Sequence, residues 1–564
     1  MDARKDIDAQ VLVEDDDAKL RSLGITPVLD RAWTGFSTAM IVMSSMSILT
    51  SIIASFDVAL IFGGPVVAVW GWVVVSAIVM CVALNMAELS SAYTTSGGMY
   101  YWTYRLVGAK YAHFASWVAG WLNLVAQLSG NAAQTALMAD LTITLVDMVA
   151  AYNGTEPPEF SKGQMYGIYV AWCLAATAAN SLGDKVNIRM NRRFAYQHKV
   201  NIRMNEFAGV WNLVGAVVLT IVLPAMATSY QPASYVFGHF ETAQAEAAGI
   251  TNPVYVVCLG LLLPAWAFTG LDSAEYMAEE TQKATRSQPR AILMGCVAMF
   301  VFGLGLILSL LFSMPSLEGA IDPDSPSGGY AMAQIMYDVF LQRTGSPLGG
   351  IVLFALFPLV GVYTCSMSSL TCAARILFSY GRDGLVPCAD WWGSFNHRTR
   401  TPQNAVWGAT GIAILLGLPM LGSSVAFESL LSLSTIALFM LYAGPATLRI
   451  TCGRRLFLPG LFKLGCWAYP LGVISTLWWI FSLIVFSLPT EYPVTGDNFN
   501  SAPVTLGAVL LLASAWYWVP GIGAKKRFNG PSFDVVAFER QLLLGEAESG
   551  IGQPAKPAQQ MLQQ

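Results

Sequence analysis

At 564 residues, with 55% apolar and 12% charged residues and a mean hydropathy of +0.53, the chain is too apolar for a soluble multidomain protein and belongs in a bilayer. The net charge of −4 comes mostly from acids in the tails and in the loops on one side. It excludes a nucleic-acid partner, and the basic segments face lipid headgroups instead.

The first 33 residues carry the acidic run Glu14 to Asp17 and no apolar stretch, so no cleaved signal peptide is expected and the first span directs insertion. A span needs roughly 20 apolar residues to cross about 30 Å of hydrocarbon. Twelve candidates follow, at about 35–56, 65–92, 113–150, 164–183, 206–228, 253–277, 290–314, 347–377, 402–422, 425–450, 468–489 and 502–520. The expected fold class is an all-α integral membrane protein with twelve transmembrane helices. The tails, 1–33 and 521–564, are expected to be largely disordered, the second being rich in Gln, Pro and Ala beyond Gln553.

With an even number of spans, loops on one side hold Arg105, Lys110, Arg189, Arg192, Arg286, Arg375, Arg382, Arg449, Arg454 and their basic neighbours. Loops on the other side hold only Lys162 and Arg343. This asymmetry puts both termini in the cytoplasm. None of the nine cysteines falls in an outer loop, so no extracellular disulfide framework is expected.

Span one reads Ser44-Ser-Met-Ser47-Ile48-Leu49-Thr50-Ser51-Ile-Ile-Ala-Ser55, dense in small hydroxyl residues at the depth of the midplane. Such a segment either unwinds, its hydroxyls replacing lost helical bonds, or permits close helix packing. Span six favours the first reading. There Pro264-Ala-Trp266-Ala-Phe268-Thr269-Gly270-Leu-Asp272-Ser-Ala-Glu275 puts Pro, Gly and ionisable residues in the corresponding place. Two broken spans in matching positions point to a transport site, and the half-helices expected to begin near Ser51 and near Asp272 or Ser273 present N-terminal ends suited to a carboxylate.

Asp272 has two readings, as N-cap of the second half of span six and as a functional intramembrane acid. Glu275, one turn on, is a second candidate for coupling or gating. Glu88, at the inner end of span two, either carries a coupling proton or anchors the following elbow by pairing with Arg, Lys or backbone amides. Asp57, Asp140, Asp147, Glu206 and Glu428 lie near span ends, where contact with water is the default. The elbow itself, Thr95-Ser-Gly-Gly-Met-Tyr-Tyr-Trp102, reads as a tight interfacial turn.

Four further features are local. Asn153-Gly-Thr155 is a glycosylation sequon in an expected outer loop. Lys185-Val-Asn-Ile-Arg-Met-Asn191 recurs at Lys199 to Asn205, a duplication in the expected inner loop after span four. Glu539, Leu543 and Leu544 have the spacing of an acidic dileucine signal, as does a chance amphipathic turn. The four histidines, His113, His198, His239 and His397, lack paired spacing, so no metal centre or acyl-transfer constellation is expected and no cofactor is implied.

As an ordered set, several motifs resemble the amino acid-polyamine-organocation superfamily, most closely its amino acid/choline permeases, which include GABA permeases. They are the elbow after Ala87-Glu88-Leu89, Gly120-Trp-Leu-Asn123, Phe268-Thr-Gly-Leu-Asp272 with Ala278-Glu-Glu-Thr281, Ala373-Ala-Arg375 with Arg382-Asp-Gly-Leu-Val-Pro387, Thr401-Pro402, and Leu431-Ser-Leu-Ser-Thr-Ile-Ala437. A Thr at position 94 replaces the family's usual Pro.

The resemblance covers roughly residues 20 to 525. It implies a LeuT-type fold of two inverted five-helix repeats, 34–228 and 253–450, followed by two additional helices over 468–520. It implies alternating access, with the substrate on span-one backbone around Ser47, Ile48, Leu49, Thr50 and Ser51 and on span-six backbone at Phe268, Thr269 and Gly270, closed over by Trp266 and Phe268. Asn123, Gln127, Ser368 and Ser369 are additional candidates to hydrogen-bond it. The expected partners are a small amino acid or amine and the lipid bilayer, and the expected location is the plasma membrane. A proton is the expected coupling ion, with sodium as the alternative. Choline or polyamine transport, or a non-transporting nutrient sensor, are the competing functions; a membrane enzyme lacks a catalytic constellation.

Overall fold

The computed structural model describes residues 31–181, 196–394, 402–421, 426–495, 498–519, 523–526, 528 and 530. These residues form helices with two isolated β-bridges, Trp33 with Thr281 and Gly63 with Glu241. In chain order the main helices are α1 (Gly35–Met46), α2 (Ile48–Ile61), α3 (Gly64–Ala92), α4 (Gly98–Val107), α5 (Ala112–Asn153), α6 (Lys162–Ser181), α7 (Tyr196–Met226), α8 (Pro253–Gly260), α9 (Leu262–Ala267), α10 (Ser273–Tyr276), α11 (Ala284–Ser313) and α12 (Ala331–Thr344). After these come α13 (Leu348–Phe354), joined through a π-turn at Pro358 to α14 (Val360–Arg382), then α15 (Gln403–Leu416), α16 (Ala426–Ile450), α17 (Ala468–Val485) and α18 (Ala502–Trp518). Nine helical stretches among the described residues are long and apolar enough to cross a membrane, α1 with α2 counting as one and α13 with α14 as another.

The break between α1 and α2 is a single residue. Ser47 has φ +40°, which ends the first helix, and its hydroxyl starts the second by accepting from Thr50 N at 3.3 Å. The Ser51 hydroxyl donates to Met46 O at 2.7 Å, so hydroxyls of the same segment compensate for the broken ladder. Span six breaks over Phe268–Asp272, after Pro264 has already limited the helical bonding of its first half.

Several expectations need correction. Span one continues to Ile61. The second half of span six is one helical turn, α10, followed by a short 3₁₀ turn, so it offers no extended half-helix dipole near Ser273. The elbow's rings are not laid against lipid: Met99, Tyr100, Tyr101 and Trp102 are buried, because α4 packs against α5 and α16. The second copy of the duplicated segment is not loop but the start of α7, with Ile202 and Asn205 buried at helical spacing. Among the span-end acids, Asp57, Asp140, Asp147 and Glu206 are half-buried and Glu428 is exposed. Glu206 accepts from the Ser37 hydroxyl at 2.5 Å. Asn153 of the sequon is exposed at the end of α5. Most of both tails, the dileucine-like segment and the first copy of the duplication lie outside the described residues.

Helices approach closely where glycine permits. At Gly209 of α7 a Cβ would fall 2.4 Å from Met40 O of α1, a contact with backbone that cannot give way by rotamer change. Gly163 of α6 has open space around it. Gly209→Val is therefore expected to cost about 1–3 kcal/mol, read as a lower melting temperature in detergent, while Gly163→Val melts close to the parent.

Candidate functional site

The broken segments meet backbone to backbone. Gly270 has φ +95°, and a Cβ there would lie 2.9 Å from Ser45 C and 3.0 Å from Met46 N, so only glycine fits both the conformation and the contact. With its helical bond lost, Gly270 N donates to the Tyr442 hydroxyl of α16 at 2.9 Å. Tyr442 in turn donates to Asp272 Oδ1 at 2.6 Å. On the other oxygen, Asp272 Oδ2 accepts from Gln127 Nε2 of α5 at 2.6 Å and from the Tyr276 hydroxyl.

The network extends to Asn123, whose Oδ1 lies 3.0 Å from the Tyr276 hydroxyl and shares its one proton with Asp272, and whose Nδ2 donates to the Tyr380 hydroxyl of α14 at 2.8 Å. Asp272 thus ties span six to spans three, eight and ten. Its side chain makes no N-terminal cap, which removes the capping reading. A fully buried carboxylate is tolerable here because both oxygens are met by donors.

Beside this network lies a cavity of about 30 Å³, room for about two water molecules. Ser45 lines it from α1, Gln127, Gly130 and Gln134 from α5, Trp266, Thr269, Gly270 and Ser273 from span six, Ser369 and Cys372 from α14, and Ser434 and Leu438 from α16. Two polar atoms of the lining, Ser45 Oγ and Gln134 Oε1, are buried without a hydrogen-bond partner among the described residues. Unmet groups of this kind in an otherwise satisfied interior mark places where a ligand or water binds.

Of the residues singled out from sequence, Gln127, Trp266, Thr269, Gly270 and Ser369 line this cavity. Ser47, Ile48, Leu49, Thr50 and Ser51 do not. Ser47 donates to Asn212 Oδ1 of α7 at 2.6 Å and shares a contact with Thr50, Ser51 turns back to Met46 O, and Ile48 and Leu49 are buried in packing, so the lining from span one is Ser45 instead. Phe268 packs on Trp72, centroids 5.5 Å apart, away from the lining. Glu88 accepts from Arg449 of α16 and from Leu464 N at 3.0 Å, fixing the end of span ten. Glu275 lies outside both groups. Gln134, Ser434, Tyr276 and Tyr442 were missed. The polar row Asn123, Gln127, Gly130, Gln134 at helical spacing on α5 was the available signal, whereas nothing in sequence marks Tyr442.

The end of the bundle that bears α4 is closed. Arg375 Nε pairs with Glu280 Oε1 at 2.9 Å, Arg382 Nη1 lies 3.5 Å from Glu279 Oε2, and Tyr100 donates to Asp383. Trp33 Nε1 donates to Glu280 Oε2 at 3.1 Å, while its backbone bridges to Glu280 O and Gln282 N. Burial holds the Asp383 carboxyl above the usual carboxylate range, opposed by the Arg382 guanidinium and the Tyr100 hydroxyl.

Residues 34–510 match the family described as amino acid permease. The chain belongs to the amino acid permease family. Among the permease's relatives, amino-acid permease BAT1 homolog of Oryza sativa subsp. japonica is 36% identical over 515 residues, covering 91% of this chain and 95% of that protein. Amino-acid permease BAT1 of Arabidopsis thaliana is 34% identical over 519 residues, 92% and 96% of the two chains. A choline transporter of Saccharomyces cerevisiae is 28% identical over 485 residues, 86% and 77%.

Replacing Tyr442 of the permease by Phe orphans Asp272 Oδ1 and Gly270 N–H together. The expected cost is roughly 1–3 kcal/mol for each group, measured as a lowered melting temperature; Tyr152→Phe, at an exposed position, should leave melting unchanged.

Proposed function

We propose that this permease carries an amino acid, such as GABA or a cationic amino acid, across the plasma membrane by alternating access, driven by an inward proton gradient. The observation that carries the reading is the cavity between the two broken spans, where Ser45 Oγ and Gln134 Oε1 await partners beside Trp266. Hydroxyl and amide groups with exposed backbone can hold the two ends of a zwitterion. The identities to plant amino-acid permeases support the same substrate class.

Adding α6, the α8–α9 pair and α18 to the nine long helices makes twelve crossings. That count, with breaks in the first and sixth, is what a LeuT-type pair of inverted five-helix repeats plus two helices requires. The basic loops then fall on the side that carries Arg375 and Arg382, so both termini face the cytoplasm and the ion pairs there form the closed inner gate. The cavity is smaller than an amino acid, so loading requires the walls to separate.

Choline transport is the second reading, because Trp266 offers a ring face for cation-π attraction, about 0.5–2 kcal/mol, and because a choline transporter is among the relatives.

The test is uptake of labelled GABA, Lys, Glu and choline into proteoliposomes, with and without an inward proton gradient. Saturable, gradient-accelerated uptake of an amino acid is expected. Asp272→Asn should lower kcat/KM about 10- to 100-fold, the loss of a charged hydrogen bond worth roughly 1.5–3 kcal/mol. Uptake of choline alone selects the second reading, and binding without uptake of any of the four selects a nutrient sensor on the same fold.

A further inference from the structure

Among the described residues one buried acid near the gate has no charged partner. Glu275, on the single turn of α10, is 0% exposed, and neither of its carboxyl oxygens has a hydrogen-bond partner among the described residues. Every other acid near the gate is engaged: Asp272 by Tyr442, Tyr276 and Gln127, Glu279 by Arg382, Glu280 by Arg375 and Trp33, and Glu88 by Arg449 and Leu464 N.

Among the described residues no cation acts on Glu275. From α3 the Ser90 hydroxyl is the one hydrogen-bonding group that acts on the carboxyl, and its proton is shared with Gln288 Oε1 of α11, 3.2 Å away. Gln288 itself donates to Ala274 O at 3.3 Å. From α4 it is faced by Gly98, whose hypothetical Cβ would lie 3.3 Å from Glu275 Cβ. The titratable group that acts on it is Asp272 of its own segment, a like charge. A bare carboxylate in such a place would pay the full desolvation cost with nothing in return, whereas the neutral acid leaves only a weak donor and acceptor unmet.

Its position gives that proton a use. Ser273, two residues before Glu275, lines the cavity, and Glu279, four residues after it, belongs to the inner ion pairs. Glu275 therefore stands in the layer that must open for substrate to leave. Resting on the transport reading above, we propose that Glu275 is the carrier of the coupling proton in this permease. While the layer is sealed the carboxyl keeps its O–H bond. When the inner gate opens, water enters, the O–H bond breaks, the proton passes to cytoplasmic water and the carboxylate is solvated. Once the inner gate has closed, the carboxylate is protonated again by water that reaches it through the outward-open cavity. Asp272, held by three donors, organises the site.

The test uses the full-length protein in proteoliposomes. Infrared difference spectra of wild type against Glu275→Gln should show a protonated-carboxyl C=O band, sensitive to D₂O, that is missing in the variant and retained in Asp272→Asn. Glu275→Gln preserves the shape of the neutral acid, so exchange of labelled substrate across the membrane, using GABA, Lys, Glu and choline as probes, should persist while acceleration by a proton gradient is lost. Glu275→Asp should keep both the band and the gradient response, which guards against a packing defect in the amide. A Gln variant that is still gradient-driven, or one whose spectrum keeps the band, overturns the proposal. A wild type that exchanges substrate but ignores the gradient overturns the proton carrier while leaving the transporter. A wild type that exchanges none of the four probes overturns the transport reading and this proposal with it.

Discussion

The architecture turns on one requirement, that backbone freed from helical bonding inside an apolar medium find partners within the protein. Two spans violate helical continuity at the same depth, and each violation is met by specific groups. Ser47 and Ser51 serve span one from within its own segment, and Tyr442 reaches across from span ten to serve Gly270. Because Tyr442 also holds Asp272, satisfying the backbone and siting the buried acid are one act. The cavity exists where these compensations leave a gap.

How much of this was legible in sequence depends on whether the signal was local. The breaks were, because hydroxyl density at Ser44–Ser55 and the Pro-to-Gly run of span six are written in contiguous residues. The polar row on span three was half seen, through Asn123 and Gln127, while Gln134 one further step along was not. Tyr442 was beyond reach: a tyrosine in an apolar helix has no mark of the partner it meets four spans away. That Ser47–Ser51 do not line the cavity has a similar cause. Their hydroxyls look free on a helical wheel, yet the structure commits Ser47 to Asn212 of α7 and turns Ser51 back onto its own backbone. The elbow aromatics show the converse, since a belt of rings beside Arg105 resembles an interface until tertiary packing covers it.

The Ala278-Glu-Glu-Thr281 motif gains meaning from its neighbours. Glu279 and Glu280 each take an arginine from α14, and the chain entering span one is stitched to the same turn through Trp33 and Thr281. Movement of span six away from span eight thus has to break several charge-assisted bonds together, while the contact of Gly209 with Met40 keeps span one on span five. The first set of contacts is polar, so water can take the partners' places once the elements part; the second is close-packed and has no such substitute.

The small volume enclosed by Ser45, Gln134, Trp266 and Ser434 bears on selectivity. A carrier that must shut around its cargo judges size twice, once when the cargo lands on open walls and again when those walls come together. A molecule with the right polar ends but too long a side chain passes the first judgement and fails the second. It occupies the site, holds the walls apart and is not carried. For such a protein the boundary between substrate and inhibitor is drawn by length beyond the recognised head group, and it appears in turnover before it appears in affinity.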